Sequence, residues 1–214
     1  MPEPMPRRVL HVMNAASGGA ALSTLELVRG LDARGISSAI VCNPAGAADD
    51  RARLAEAVSG RVLFTPLYLW NRKLRAAAWK RPLLALWLGG RTGFARASAL
   101  RVARFAAAQR AELIHTSTFT TPEGGLAARW LGLPHVWHLR ELLGPGNPFR
   151  LTREGPALAA WLETHCSRVV ANSATSARTL AGWVPTGFID VVPNGVDVGR
   201  FTPASTRARA PGAP

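Results

Sequence analysis

Cysteine, lysine and acidic residues are all scarce in this chain. Its two cysteines, Cys42 and Cys166, fall in a predicted strand and at a predicted helix end. They read as small buried apolar residues in a reducing compartment. Lysine occurs only as Lys73 and Lys80, so the basic character belongs to arginine. In all, 26 basic against 13 acidic residues give a formal net charge of +13. No acid occurs between Glu56 and Glu112. Such a balance calls for an anionic partner: a membrane surface, nucleic acid or a phosphorylated substrate. Nucleic acid falls away, because no helix-turn-helix, zinc-finger or RNP pattern accompanies the charge. No GxGxxG is present, and Ala39 to Asn43 hold no acid to grip a ribose hydroxyl, which excludes a nicotinamide or flavin site. No GxxxxGK[ST] occurs, so a P-loop nucleotidase is excluded too. No group of side chains has metal-ligand spacing, and no metal is expected. The longest apolar run, Leu83 to Leu88, is far too short to span a bilayer. Met1 to Pro6 is short and proline-rich with a strand directly after it, so no signal peptide is expected and the chain reads as cytoplasmic.

What is present is an alternation of apolar runs and helical periods. Val9, Leu10, Val12 and Met13 make a nearly continuous apolar run, as a parallel strand buried on both faces requires. Gly18-Gly19 punctuates it, a helix follows over Ala21 to Arg34, and Gly35 closes that helix in a left-handed cap. A helix N-terminus behind a glycine loop can hold a phosphate; the same pair serves equally as a plain tight turn. Further strands are predicted at Ser38–Cys42, Val62–Phe64, Leu113–His115, Val136–Leu139, Arg168–Ala171 and Ile189–Val192. Helices are predicted at Arg51–Val58, Ala97–Arg110, from Pro122 to Gly132, Thr152–Cys166, and after the capping pair Asn172-Ser173. This is an α/β chain, a doubly wound, Rossmann-like parallel sheet of about seven strands. Residues 1–6 are an extension, 7–203 the domain, and 204–214 a Pro/Ala/Arg tail that cannot build a core and is expected to be disordered.

In such sheets ligands gather at the carboxyl ends of the strands. Three features fall there: Gly18-Gly19, the run His138-Leu139-Arg140-Glu141, and Pro193-Asn194-Gly195. His138 is placed to donate a hydrogen bond or steady developing charge, and Arg140 to hold an anion in a bidentate grip. The alternative is a satisfied core histidine beside a local Arg140–Glu141 ion pair.

Four stretches carry a resemblance: RVLHVMNAASGGAALSTLELVRGLDARG, ELIHTSTFTTPEGGLAARWLGLPHVWHLREL, SRVVANSATSARTL and IDVVPNGVDVGRFTP. Together they span most of residues 7 to 203 and are similar to the amino-terminal, acceptor-side half of a GT-B glycosyltransferase of family 4. NGVDVGRFTP resembles the crossing into the second domain. The resemblance implies a retaining enzyme that uses a nucleotide-sugar donor and needs no fixed metal or other cofactor. It implies that Gly18 and Gly19 lie against the donor diphosphate and that His138 faces the donor sugar as the catalytic residue. Arg140, Glu141, Asn194 and Gly195 are the accompanying candidates for substrate binding.

The family's second Rossmann-like domain, with its E-x7-E glutamate pair, has no counterpart in these 214 residues. The chain therefore reads as a fragment, a truncated product, or one half of a split enzyme whose partner is a separate donor-domain chain. The basic, tryptophan-bearing stretch bears on the acceptor, expected to be a cell-envelope or lipid-linked glycan. Trp70, Arg72, Lys73, Arg75, Trp79, Lys80, Arg81 and Trp87 are the candidates for peripheral docking on an anionic membrane at its cytoplasmic face. From another class, a non-catalytic membrane- or carbohydrate-binding module would keep the same fold.

Overall fold

The computed structural model describes residues 5–72, 81–143, 150–185 and 187–195, with side chains left undescribed at 71, 72, 81–91 and 150. The first βα unit runs from β1 (Arg8–Met13) through α1 (Gly19–Asp32) to β2 (Ser37–Cys42). Gly35 takes φ +73° and the Ile36 amide reaches back to the Leu31 carbonyl at 3.0 Å, the left-handed cap that the sequence predicted. Then come α2 (Ala48–Ala57), β3 (Val62–Phe64), β4 (Asn71–Arg72), α3 (Arg81–Ala108) and β5 (Leu113–Thr116). The second half is α4 (Glu123–Leu131), β6 (His135–Leu139), β7 (Arg150–Leu151), α5 (Pro156–His165), β8 (Arg168–Ala171), α6 (Ala174–Arg178) and β9 (Ile189–Val191).

Seven strands form one parallel sheet in the order β3-β2-β1-β5-β6-β8-β9. The order reverses between β1 and β5, where a doubly wound sheet opens its ligand crevice. Successive side chains on β1 point to opposite faces. Leu10 and Val12 pack with Val102, Ala106 and Ala127 of α3 and α4, whereas Met13 packs with Leu25 and Val28 of α1. His11, of the same parity as Met13, therefore lies on the α1 face. Both cysteines are free and buried, and burial pushes each thiol up to about 12.

α1 and α2 start two and three residues earlier than expected, at Gly19 and Ala48, and two further helix starts change. α3 starts at Arg81 instead of Ala97, and the glycines at 89, 90 and 93 do not interrupt it. α5 starts at Pro156 instead of Thr152, because the preceding residues are held elsewhere: β7 pairs antiparallel with β4, and the Thr152 amide donates to the Trp70 carbonyl at 2.8 Å.

That small sheet also corrects a docking candidate. Trp70 is only 3% exposed. Its ring packs against Trp137 and Trp161 at centroid distances of 5.5 and 4.9 Å, and its Nε1–H donates to the Phe119 carbonyl at 2.5 Å. Such aromatic pairs add about 0.5–1.5 kcal/mol each beyond their burial, so Trp70 belongs to the core and not to a membrane-facing surface. Arg72 lies on β4, and Arg81 and Trp87 on α3. Lys73, Arg75, Trp79 and Lys80 lie outside the described residues, as does the 204–214 tail.

Candidate functional site

The carboxyl ends of the strands hold a cleft of about 530 Å³, walled by Ser23, Glu26 and Leu27 of α1 and Arg34 just beyond it, by His138 near the end of β6 and Arg140 directly after it, and by Asn194 and Gly195 after β9. A half-buried arginine ties these walls together. Arg140 donates through Nη1 to the Ser23 hydroxyl and, at 3.1 Å, to the Asn194 side-chain oxygen. Its Nη2 lies 3.3 Å from His138 Nδ1. The Ser23 hydroxyl passes the contact on to the Gly19 carbonyl at 2.9 Å. One guanidinium thus spans α1, β6 and the segment after β9, while its Nε has no partner among the described residues. Burial draws the Arg140 pKa down and Glu141 opposes that shift; an arginine stays charged regardless. A half-buried, charged fork with a buried, unused Nε donor is suited to an anion.

His138 is 8% exposed and its ring lines the cleft. Burial first, and the Arg140 charge second, lower its pKa to about 4, so it is neutral at pH 7. Its Nε2 is buried and has no hydrogen-bond partner among the described residues. An unmet polar atom of this kind costs about 1–3 kcal/mol until something pairs with it.

The glycine pair divides. Gly18 takes φ +86°, a conformation that side chains rarely adopt, so the turn itself requires glycine there. Gly19 opens α1 with no positive φ, and an added Cβ would meet nothing within 4 Å. The fold gives no reason for glycine at Gly19. Neither residue lines the cleft directly; they adjoin it through Ser23, one turn on.

Glu141 faces elsewhere. Its carboxylate accepts from the Thr118 hydroxyl at 2.5 Å, the Phe119 amide at 3.2 Å and its neighbour's amide at 3.2 Å. It holds the loop after β5 against the end of β6, and among the described residues no ion pair joins it to the Arg140 guanidinium. His138, Arg140, Asn194 and Gly195 come together, then; Gly18-Gly19 adjoin; Glu141 supports from behind. Sequence reasoning missed Ser23, which only the helical period from Gly19 would have placed one turn into α1. It also missed Glu123, wholly buried at the head of α4 with its pKa pushed up to about 7 by burial against the pull of Ser98 and Tyr68. Among the described residues no helix is long and apolar enough to cross a membrane, and no His, Cys, Asp and Glu side chains cluster as a metal site.

The sequence profile of Glycosyltransferase Family 4 matches residues 17–200. No curated protein sequence matches the chain. Among solved structures the chain is similar to a glycosyltransferase from Rickettsia africae (15% identity, TM-score 0.61, covering 92% of this chain and 45% of that one). It is also similar to Anabaena Alr3699/HepE in complex with UDP and glucose (17% identity, TM-score 0.59, 90% and 46%), and to Acinetobacter baumannii MurG (16% identity, TM-score 0.54, 89% and 47%). At these identities the likeness is one of fold. The chain spans about half the length of the structures it matches.

Proposed function

Because the chain belongs to glycosyltransferase family 4, we propose that it is the acceptor-side half of a GT-B glycosyltransferase, a retaining enzyme that draws on a nucleotide-sugar donor. The observation that carries this reading to the site is the unpartnered Nε2 of His138 beside the Arg140 fork in one cleft. In this reading the donor diphosphate lies against Gly18-Gly19 and the first turn of α1, where amides without intrahelical partners and the helix dipole favour negative charge. Glycine at Gly19 then gives the diphosphate close approach to the backbone. Arg140, reinforced by Asn194, takes up the negative charge that grows on the leaving nucleotide, and His138 faces the transferred sugar. A neutral imidazole there contributes an oriented dipole without the repulsion an imidazolium would add beside Arg140.

The acceptor is a cell-envelope or lipid-linked glycan reached from the cytoplasmic side of a membrane. Support comes from α3, which leaves Phe94 and Leu100 at 41% and 43% exposure alongside exposed Arg96, Arg101 and Arg104. Apolar side chains among arginines suit an anionic headgroup layer. The donor's second domain is supplied by a longer polypeptide or by a separate chain.

The test is sugar transfer by the chain together with a donor domain, against a panel of nucleotide sugars, with His138→Ala alongside. The expected loss of kcat is about 10²-fold or more, the usual cost of removing a positioned donor, with far-ultraviolet circular dichroism unchanged. Unimpaired transfer by a folded His138→Ala protein would overturn the reading and favour a non-catalytic binding module.

A further inference from the structure

Three of the chain's five histidines form a file that leads to the cleft. His11 of β1 and His115 of β5 stand opposite each other in the sheet, and His138 lies two residues beyond Val136, the partner of His115 on β6. All three share one face of the sheet. His11 Nδ1 is 3.0 Å from His115 Nδ1, and His115 Nε2 is 3.4 Å from His138 Nδ1. At the far end His11 Nε2 is 3.2 Å from the Ser38 hydroxyl. His11 and His115 are buried, at 0% and 5% exposure. Burial lowers the His11 pKa to about 4, and burial first, with the neighbouring histidines and Arg140 adding to it, holds that of His115 well below its ordinary value. The rings are therefore neutral at pH 7, each with one protonated nitrogen and one lone pair.

Which nitrogen holds each proton follows from Arg140. A guanidinium only donates, so His138 Nδ1, 3.3 Å from Arg140 Nη2, is an acceptor and the ring's proton sits on Nε2. His115 Nε2 approaches the same lone pair and must donate to it, since two lone pairs facing each other repel. The bare His115 Nδ1 then accepts from His11 Nδ1–H, and His11 Nε2 accepts from the Ser38 hydroxyl. Both N–H groups between the rings thus run from the Ser38 end of the file toward His138.

We propose that Arg140 sets the tautomers of all three imidazoles, and that His11 and His115 are positioning residues which hold His138 as an Nε2–H donor at the cleft. His138 is thereby a hydrogen-bond donor and not a base. The use of that donor on a sugar or phosphate oxygen rests on the glycosyltransferase reading, whereas the order of the tautomers does not.

The test is nuclear magnetic resonance of the 214-residue chain with its histidines labelled in ¹⁵N, without any ligand. Long-range ¹H–¹⁵N correlations at pH 7 are expected to show Nε2–H tautomers for His138 and His115, an Nδ1–H tautomer for His11, and a through-bond coupling between the facing nitrogens of His11 and His115. In Arg140→Met, His115 and His11 are expected to become tautomer mixtures, although Arg140 hydrogen-bonds to neither. In His115→Phe, His11 loses its order while His138, still held by Arg140, keeps Nε2–H. A proton on Nδ1 of His138 in the unaltered chain overturns the proposal even if no variant folds. So does an unchanged His11 in folded Arg140→Met. Transfer that survives His138→Ala would remove the glycosyltransferase role of His138 and leave the tautomer order standing; transfer lost in His138→Ala together with a proton on Nδ1 of His138 would keep that role and overturn the tautomer order.

Discussion

Acidification from pH 7 to pH 5 is expected to destabilise this domain by several kcal/mol, and buried histidines are the cause. His11, His135 and His138 each have a pKa lowered from 6.5 to about 4, chiefly by burial. Above pH 6.5 the rings are neutral in both folded and unfolded chains and contribute nothing to the pH dependence. Between pH 6.5 and 4 the unfolded chain takes up protons that the folded chain refuses, so stability falls as pH falls, and the loss levels off below pH 4. From pH 7 to pH 5 each ring contributes a loss of about 2 kcal/mol. Glu123 acts against them. Its pKa is raised from 4.5 to about 7, so in the same window the folded chain takes up the extra proton, a gain of about 2 kcal/mol. His115, held well below its ordinary pKa chiefly by burial, adds to the losing side. The net loss is about 3–5 kcal/mol, a large share of the roughly 5–15 kcal/mol that holds a domain together. Urea unfolding followed by tryptophan fluorescence at pH 7, 6 and 5 measures it. In Glu123→Gln the offset disappears, and the fall between pH 7 and 5 should steepen by about 2 kcal/mol. Stability that is flat or rising as the pH drops to 5 would refute the reasoning, because four buried rings would then be taking up protons in the folded state.

Two other outcomes follow from packing and charge. At Gly124 an added Cβ would lie 1.9 Å from Thr116 Oγ1 and 3.4 Å from His135 Nε2, the two atoms of a 2.9 Å hydrogen bond. Gly124→Ala should therefore cost about 1–3 kcal/mol in urea unfolding; an unchanged midpoint would mean that α4 can lift off β5 freely. On the exposed face of α3, each arginine near an anionic surface is worth about 1 kcal/mol. The chain should co-sediment with anionic vesicles at low salt and stay in solution with neutral ones, and replacing Arg96, Arg101 and Arg104 with Gln together should weaken that binding roughly 100-fold. Binding indifferent to lipid charge would count against the membrane reading.

What the sequence disclosed and what it concealed divide along the distance over which each feature is written. Strand β1, the cap at Gly35, the strand at Val62–Phe64 and the Ser173 cap, whose hydroxyl accepts from the Ser176 amide at 3.0 Å, are local patterns, legible within a few residues. So were His138 and Arg140, because polar residues near and just after the end of an apolar run mark a sheet's carboxyl edge. Trp70 was misread for the same reason. Its basic neighbours in sequence suggested a membrane surface, while the partners that bury it, Phe119, Trp137 and Trp161, lie 49 or more residues away. β4 and β7, joined across 80 positions from Asn71 to Leu151 in a two-residue ladder, left no periodic trace at all.

The histidine file shows what kind of information was missing. His11 and His115 stand in strands that the sequence located correctly, and each alone reads as an ordinary core histidine. What makes them a unit is that β1 and β5 are neighbours, in a register that sets His11 against His115, with His138 next in line on the same face. Adjacency of β1 and β5 is the strand reversal itself, the feature that also opens the crevice. The topology that creates a place for a ligand in this fold thus also sets side chains from strands about a hundred residues apart in contact behind it. In this chain three of those side chains are imidazoles, and a single arginine at the cleft wall is enough to order them.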